Sequence, residues 1–331
     1  MKRGAALIAG LVALAGLGWW FGLRDVGATL RHASPAGLAR YAVLTTLVWV
    51  ACALRWWLVA NSIGGAAAPG RMFGARLAGD AVSALVPSGK MAGEPLRVAL
   101  LRAAGTPGEP AAAGVAADRL LELIGNMLAV IVYVLIFTLT RAPVRAPLAL
   151  AVIMLALLGV VGVTLRDLAR GRRPLRWLYS ERMRRAVSPR RHHWLDALQR
   201  VEAHVERMLQ SHPRRLVVGL LMTLLIESLI VLQYHALLDA FGVQLDLPSL
   251  LLVLLGGGLA SALPTPAGLG ALEATQVLLV GASTGRPQLG FIVGLLVRLH
   301  QTVLLVAGLA ALAWLGGSLR AARKANAPAI D

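Results

Sequence analysis

The stretch Ser261–Glu273, which reads S-A-L-P-T-P-A-G-L-G-A-L-E, interrupts an apolar region with two prolines, two glycines and a carboxylate. Proline removes a backbone donor and clashes with the preceding helical turn, and glycine weakens a helix further. In hydrocarbon, such a break survives only where protein or a water-filled cavity satisfies the freed backbone groups. The stretch therefore predicts a cavity at membrane depth, with Glu273 facing it.

A second break resembles the first. Ser83–Glu94 reads S-A-L-V-P-S-G-K-M-A-G-E, so both stretches order Ser-Ala-Leu, proline, a hydroxyl residue, glycine and glutamate. Broken apolar segments in corresponding positions of two halves are typical of the midplane site of a transporter. Two kinks in ordinary helices, alike only in composition, are the alternative. We interpret residues 72–104 and 249–281 as re-entrant helical hairpins, since each arm is too short to cross the hydrocarbon core.

The composition places the chain among polytopic membrane proteins. Of its 331 residues, 57% are hydrophobic and only 15% are charged, which is far more apolar than a soluble core requires. The formal net charge of +17 is explained by basic cytoplasmic loops and anionic lipid headgroups, so no nucleic-acid partner is expected. Cys52 is the only cysteine, which excludes an intramolecular disulfide and a cysteine-based metal cluster. We expect no cofactor and no metal site.

We predict an all-α fold of about six transmembrane helices plus the two hairpins, forming a single integral membrane domain over residues 1–331. The spans are expected at residues 4–23, 38–60, 111–140, 148–165, 216–238 and 289–315. The first of these has the features of a cleaved signal peptide, but its length and aromatic end favour a retained span. Residues 166–215 are basic and contain apolar residues at helical spacing. They indicate an amphipathic helix on the cytoplasmic membrane surface or, alternatively, a packed helix of a small soluble insert.

The basic residues between the predicted spans determine the orientation. If the N-terminus is inside, most of them lie in the inner segments, above all in residues 166–215. The positive-inside rule then places both termini in the cytoplasm, and we expect a multi-pass protein of the bacterial inner (cytoplasmic) membrane. The same arrangement makes the two hairpins open on opposite sides, as inverted repeats do.

Ionisable side chains inside a bilayer are costly and by default indicate function. Asp118 and Glu122 share one helical face by their spacing, and Arg298 is the nearest basic residue in sequence at the depth of Glu273. The alternative is mutual pairing that only holds broken helices in place. For Arg55, a snorkelling side chain beside aromatic anchors is favoured over a headgroup contact. Asp80 and Lys90 are further charges of the first hairpin. The candidate substrate-binding residues are Arg55, Glu94, Arg97, Asp118, Arg119, Glu122, Glu227, Glu273 and Arg298.

Three motifs resemble a known family. They are V-P-S-G-K-M-A-G-E-P-L-R at 86–97, D-R-L-L-E at 118–122 and L-P-T-P-A-G-L-G-A-L-E at 263–273. Together they resemble the transmembrane region of lysylphosphatidylglycerol synthases, or flippase-like membrane proteins, over nearly the whole chain. The family usually favours glutamate where this sequence has Asp118. The chain ends at Asp331, so the soluble aminoacyl-transferring domain of the synthases is not expected here.

The resemblance implies a lipid flippase that moves a phospholipid or lipid-linked headgroup between the leaflets, rather than an enzyme. Its substrate is expected to be a membrane lipid, anionic or phosphate-containing. Arg97, Arg119 and Arg298 are candidate phosphate contacts because a guanidinium matches phosphate geometry. Two other classes are considered: an intramembrane lipid-modifying enzyme that uses the buried carboxylates as acid and base, and a non-transporting scaffold for envelope lipid synthesis. A homodimer is compatible with the sequence.

Overall fold

The computed structural model describes residues 31–325, apart from residue 63, residues 65–66, 87–91, 141–144 and 263–269, and most of residues 173–212. Nine α-helices and no strand are found in this part of the chain. The helices are α1 (Pro35–Asn61), α2 (Pro69–Leu85), α3 (Glu94–Ala103), α4 (Gly108–Thr140), α5 (Arg145–Ala169), α6 (Pro213–Asp239), α7 (Leu247–Ala262), α8 (Ala271–Thr284) and α9 (Pro287–Ala325).

Helix starts coincide with residues that suit them. The Ser34 hydroxyl accepts a hydrogen bond from the Gly37 amide at 3.2 Å, and Pro35 begins α1, where its missing N–H costs nothing. Gly270 has a φ of +79°, a conformation that favours glycine, and its amide donates to the carboxylate of Glu273 at 2.9 Å. The glutamate that follows the second break thus fixes the first turn of α8.

Four helices, α1, α4, α6 and residues 287–317 of α9, are long and apolar enough to cross a membrane, at 27, 33, 27 and 31 residues. Many of their large apolar side chains point outward, such as Leu139 and Trp314, which are 76% and 72% exposed. The prediction of an all-helical, polytopic membrane protein is confirmed. The number of six spans stays a prediction, because residues 4–23 lie outside the described part of the chain.

Helices α2, α3, α7 and α8 are short, at 17, 10, 16 and 14 residues. Each is below the length of about 20 residues that spans a bilayer. They form two pairs, α2 with α3 and α7 with α8. In each pair, one helix precedes one of the sequence breaks and the other follows it. The tips at residues 87–91 and 263–269 are outside the described residues, so the re-entrant hairpins stay a prediction. The amphipathic helix expected within residues 166–215 also lies mostly outside them.

Helix α9 packs with its first half against α8 and with its second half against α2, running antiparallel to both. The contacts that define these directions are Gly290 with Gln276, Gly294 with Glu273, Gly308 with Leu77 and Gly74 with Ala311. Helices α2 and α8 therefore run in the same direction, although α2 is the first helix of its pair and α8 is the second. The two short pairs thus run in opposite senses relative to α9.

Helices α1 and α6 form the antiparallel centre of the molecule and are linked by two reciprocal hydrogen bonds. Arg55 donates through Nη1 to Thr223 Oγ1 at 3.2 Å, and Gln233 donates through Nε2 to Thr45 Oγ1 at 2.6 Å. Thr45 and Thr223 differ in residue number by the same amount as the two Ser-Ala-Leu stretches, and so do Arg55 and Gln233. Each of these pairs therefore occupies equivalent positions in the two halves. This reciprocity indicates an approximate twofold relation in which α1–α4 correspond to α6–α9.

Two apolar cores follow from this arrangement. One lies around Trp56 and Met72, between the C-terminal part of α1, helices α2 and α3, and the start of α4. The other lies around Leu237 and Val293, between the N-terminal part of α1, the end of α6, helices α7 and α8, and the first half of α9. Each core surrounds one short helix pair.

Candidate functional site

Three arginines from three helices converge on one carboxylate. Arg55 of α1 donates from Nε to Asp118 Oδ1 at 2.9 Å, and Arg76 of α2 donates from Nη1 to Asp118 Oδ2 at 2.9 Å. Arg97 of α3 places Nη1 3.6 Å from Asp118 Oδ2. All four residues are buried, with 1%, 5%, 3% and 0% of their surfaces exposed. We call Arg55, Arg76, Arg97 and Asp118 the arginine cluster.

Neutral neighbours hold the arginines in place. The guanidinium of Arg97 lies over the Trp56 ring, 5.3 Å from its centroid, at a distance where cation–π attraction is favourable. A Cβ at Gly79 would lie 2.7 Å from Arg97 Cγ, so only glycine lets α2 approach this side chain so closely. Arg76 also donates to the carbonyl oxygen of Cys52 at 3.3 Å. Trp56, Gly79 and the backbone of Cys52 therefore hold the guanidinium groups of Arg97 and Arg76 in position.

Three partly exposed carboxylates surround the arginine cluster. The side chains of Asp80, Glu94 and Glu122 are 29%, 19% and 22% exposed, in contrast to Asp118. Asp80 accepts a hydrogen bond from Arg97 Nη2. Glu122 Oε2 lies 3.9 Å from Nη2 of Arg55 and also from Nη2 of Arg76, and Glu94 Oε2 lies 3.9 Å from Arg97 Nη1. We call these three acids the rim carboxylates.

Arg119 belongs to the rim rather than to the arginine cluster. Its Nη1 donates to Glu122 Oε1 at 2.9 Å, and its side chain is 19% exposed. The rim thus has a cation of its own, and Glu122 is shared between that cation and the long contacts to the buried arginines. Glu94 and Glu122 are partly exposed and lie 3.9 Å from the buried arginines, so they can move away from them more easily than Asp118 can.

Each buried arginine has a donor that is not used. Arg55 Nη2, Arg76 Nε and Arg97 Nε are shielded from solvent and have no hydrogen-bond partner among the described residues. A buried donor without an acceptor loses its hydration without compensation. Within the arginine cluster three guanidinium groups share the single carboxylate of Asp118, and the rim carboxylates supply the remaining negative charge from its partly exposed edge. An oxyanion with several acceptor oxygens, such as a phosphate group, could accept hydrogen bonds from the unused donors.

A second charged pair lies at the start of α8. Glu273, which is fully buried, accepts a hydrogen bond from Arg298 Nε at 2.8 Å and from the Gly270 amide at 2.9 Å. Arg298 also donates from Nη1 to Gln301 Oε1 at 3.0 Å, and its side chain is 13% exposed. The pair joins one cation to one carboxylate, whereas three cations meet at Asp118 in the arginine cluster.

The structure brings six of the nine sequence candidates together in the first half of the fold: Arg55, Glu94, Arg97, Asp118, Arg119 and Glu122. It pairs Glu273 with Arg298 in the second half. Glu227 belongs to neither group. It lies on α6 one turn beyond Thr223, with Oε1 beside Gly125 of α4. Lys90 lies outside the described residues.

Arg76 was not among the residues predicted from the sequence, although its side chain binds Asp118 as closely as that of Arg55 does. A signal was available, because an arginine four residues before Asp80 in an apolar segment is itself an intramembrane charge. The role of Thr223 had no such signal, since a single threonine in an apolar helix is ordinary.

Comparison with known proteins agrees with this architecture. Residues 7–308 match the family model described as the lysylphosphatidylglycerol synthase TM region. A curated relative, a UPF0104 membrane protein of Methanothermobacter thermautotrophicus, is 26% identical over 335 residues, covering 96% of this chain and 97% of the relative. The four long apolar helices and a family match over most of the length lead to one conclusion. The chain is a multi-pass membrane protein that belongs to the family of the lysylphosphatidylglycerol synthase transmembrane region.

Proposed function

We propose that the protein moves a phospholipid or lipid-linked headgroup between the two leaflets, and that the arginine cluster holds the phosphate of that headgroup. The observation that carries the proposal is the set of three buried guanidinium groups that share one carboxylate and retain unused donors. The acyl chains would stay in the bilayer while the headgroup enters the protein.

The energetics of buried charge support an anionic ligand. Removing ions from water costs several kcal/mol each, and this is compensated only when the charges are paired and hydrogen-bonded. Asp118 compensates part of the three positive charges, and the rim carboxylates compensate the rest from the edge of the cluster. A phosphate oxygen could accept from Arg55 Nη2, Arg76 Nε and Arg97 Nε, which lie in the same cluster and have no acceptor within hydrogen-bond distance among the described residues. Guanidinium groups also offer phosphate two parallel donors each, which lysine does not.

The rim carboxylates suggest how the site stays neutral without a lipid. Glu122 lies 3.9 Å from two buried arginines, so it balances their charge without forming close hydrogen bonds. In the proposed cycle, an incoming phosphate displaces Glu122 and Glu94 from the arginines, and the carboxylates return when it leaves. Exchange of one anion for another avoids leaving a bare positive charge inside the protein at any step.

The internal repeat supports a path through the protein. Because the two short helix pairs run in opposite senses relative to α9, we propose that they enter the bilayer from opposite sides as re-entrant hairpins. The headgroup would then pass along the α1–α6 contact from the arginine cluster toward the Glu273–Arg298 pair. We propose that both termini are in the cytoplasm and that the protein lies in the cytoplasmic membrane, which the excess of basic residues in the predicted inner segments supports.

The experiment is leaflet exchange in proteoliposomes that contain labelled phosphatidylglycerol. We expect the wild-type protein to accelerate exchange and to leave the mass of the lipid unchanged. Arg76→Gln should slow exchange at least tenfold. Arg40→Gln is the matched control, because Arg40 is 62% exposed and its ion pair with Asp239 lies far from the arginine cluster in the helix.

Three outcomes separate the functional classes. A change in lipid mass would identify an enzyme instead of a transporter. Normal exchange by a folded Arg76→Gln protein would contradict the role of the arginine cluster. No exchange by folded wild-type protein would contradict lipid transport and favour a scaffold.

A further inference from the structure

Gln276 of α8 is a fully buried polar side chain. It is 0% exposed, and both Nε2 and Oε1 have no hydrogen-bond partner among the described residues. An amide in this state loses its hydration at both atoms and gains no bond in return. Gln233 shows the usual solution in the same fold, since its amide donates to Thr45 Oγ1 at 2.6 Å.

The twofold relation makes Gln276 the counterpart of Arg97. Gly79 and Gly257 differ in residue number by the same amount as Ser83 and Ser261. Arg97 and Gln276 differ by that amount plus one residue. The packing agrees with this correspondence. A Cβ at Gly79 would lie 2.7 Å from Arg97 Cγ, and a Cβ at Gly257 would lie 3.1 Å from Gln276 Nε2. The second half of the protein thus places a neutral amide where the first half places a guanidinium.

The neighbouring charges also differ between the halves. Glu273 lies one helical turn before Gln276 and is paired with Arg298 at 2.8 Å. This pair has a single guanidinium group, whereas three buried guanidinium groups converge on Asp118 in the first half. Nothing near Gln276 among the described residues therefore provides the same attraction for a phosphate.

We infer that Gln276 marks a second substrate-binding station, which takes a hydroxyl group of the lipid headgroup rather than its phosphate. An amide presents a donor at Nε2 and an acceptor at Oε1, and this holds whichever way the amide is oriented. A phosphate diester only accepts, so it would leave Oε1 unsatisfied. A hydroxyl both donates and accepts, and so it can satisfy either atom or, as a pair of hydroxyls, both.

This inference rests on the proposed function and specifies its substrate class: phosphate lipids whose headgroup bears hydroxyls, such as a glycerol or a sugar. The arginine cluster lies in the first half of the protein, α1–α4, and Gln276 lies in the second half, α6–α9. A headgroup would therefore occupy the two stations in succession. An ordered water has the same hydrogen-bonding chemistry as a hydroxyl, and the experiment distinguishes the two.

The test uses two short-chain lipids with the purified full chain in detergent. Dioctanoyl phosphatidylglycerol and dioctanoyl phosphatidylpropanol have the same phosphate diester and the same number of headgroup carbons, but only the first has headgroup hydroxyls. Apparent affinity is obtained from the rise of unfolding temperature with lipid concentration. We expect wild type to bind phosphatidylglycerol about tenfold more tightly, as the gain of two neutral hydrogen bonds predicts. Gln276→Leu should abolish this preference and leave the affinity for phosphatidylpropanol unchanged.

Stability without added lipid gives the second readout. Gln276→Leu should be at least as stable as wild type, because leucine has a similar volume and removes two unsatisfied groups. Gln233→Leu is the control and should be less stable, since its bond to Thr45 is lost. A clear loss of stability in Gln276→Leu would show that an ordered water already satisfies the amide, and would overturn the inference.

The phosphatidylpropanol arm separates this inference from the proposed function. Equal binding of both lipids by wild type would overturn the hydroxyl station and leave phosphate binding at the arginine cluster intact. Binding of neither lipid by folded protein would overturn both proposals.

Discussion

Replacing Asp118 by asparagine removes the one negative charge inside the arginine cluster with almost no change in shape. The carboxylate is fully buried and accepts hydrogen bonds at 2.9 Å from Arg55 and from Arg76, with Arg97 at 3.6 Å. An asparagine can keep one of the two acceptor contacts, but its NH₂ group must then face the other guanidinium. Asp118→Asn therefore leaves three buried cations without their common partner.

The expected loss of stability is large. A hydrogen bond to a charged group contributes about 1.5–3 kcal/mol, and breaking a buried ion pair by removing one partner costs about 3–5 kcal/mol. We take about 3–5 kcal/mol as the expected decrease in the free energy of unfolding. The value stays near the lower end if the rim acid Glu122, now 3.9 Å from two of the arginines, moves inward to replace the lost charge.

Denaturant unfolding of the purified protein in detergent measures this decrease. Asp239→Asn is the matched control, because the same substitution then breaks the pair with Arg40, whose side chain is 62% exposed. An exposed pair contributes less than about 1 kcal/mol. Equal losses in Asp118→Asn and Asp239→Asn would refute the argument that the arginine cluster depends on a single buried carboxylate.

Three further predictions concern other parts of the fold. Glu273→Gln should slow leaflet exchange at least tenfold in proteoliposomes while the protein stays folded, because the positive charge beside it loses its partner; Glu273→Ala should be less stable than Glu273→Gln in thermal unfolding. Gly93→Ala should lower the free energy of unfolding by about 1–3 kcal/mol, because its methyl group would overlap a backbone carbonyl of α2, whereas Gly258→Ala, which meets open space, should be neutral or slightly stabilising. In a background without Cys52, an impermeant thiol reagent added outside should label a cysteine at Val144 and miss one at Ser188.

Each of these has an outcome that contradicts it. Normal exchange by folded Glu273→Gln would leave Glu273 as a structural tie for the start of α8. Wild-type stability of Gly93→Ala would show that α2 and α3 are not in backbone contact. Strong external labelling at position 188 would reverse the orientation and, with it, the sides from which the two hairpins are proposed to enter.

Much of the fold could be predicted from the sequence, because long apolar segments have few alternatives in a membrane. The span expected at residues 38–60 corresponds to α1 at Pro35–Asn61, and the span expected at 289–315 lies within α9. The similarity between the two Ser-Ala-Leu stretches predicted two related halves. The reciprocal bonds between α1 and α6 then relate those halves in space.

The internal composition of the site was predictable only in part. Helical spacing placed Asp118 and Glu122 on one face, but it could not show which cations that face meets. Partners such as Arg55 and Arg76 come from separate helices, and their contacts depend on the rotation of each helix about its axis. Sequence spacing contains no information on that rotation between distant segments, so the excess of arginines at one carboxylate emerged only from the structure.

For the same reason, the sequence alone did not indicate a role for Gln276. A glutamine in an apolar helix is compatible with any hydrogen-bond partner on a neighbouring helix. Only the packing of α7 and α9 around α8 shows that the side chain is buried without one. A buried polar residue of this kind can be identified as a candidate binding residue only when the helices packed around it are known.

The central claim is that the arginine cluster holds the phosphate of a membrane lipid, and a high-resolution structure in nanodiscs containing phosphatidylglycerol tests it most directly. We predict phosphate density within hydrogen-bonding distance of at least two of Arg55, Arg76 and Arg97, with Glu122 displaced from its present position between the first two. A well-resolved cluster that contains only its own carboxylates and water, with lipid density confined to the outer surface of the helices, would contradict the claim.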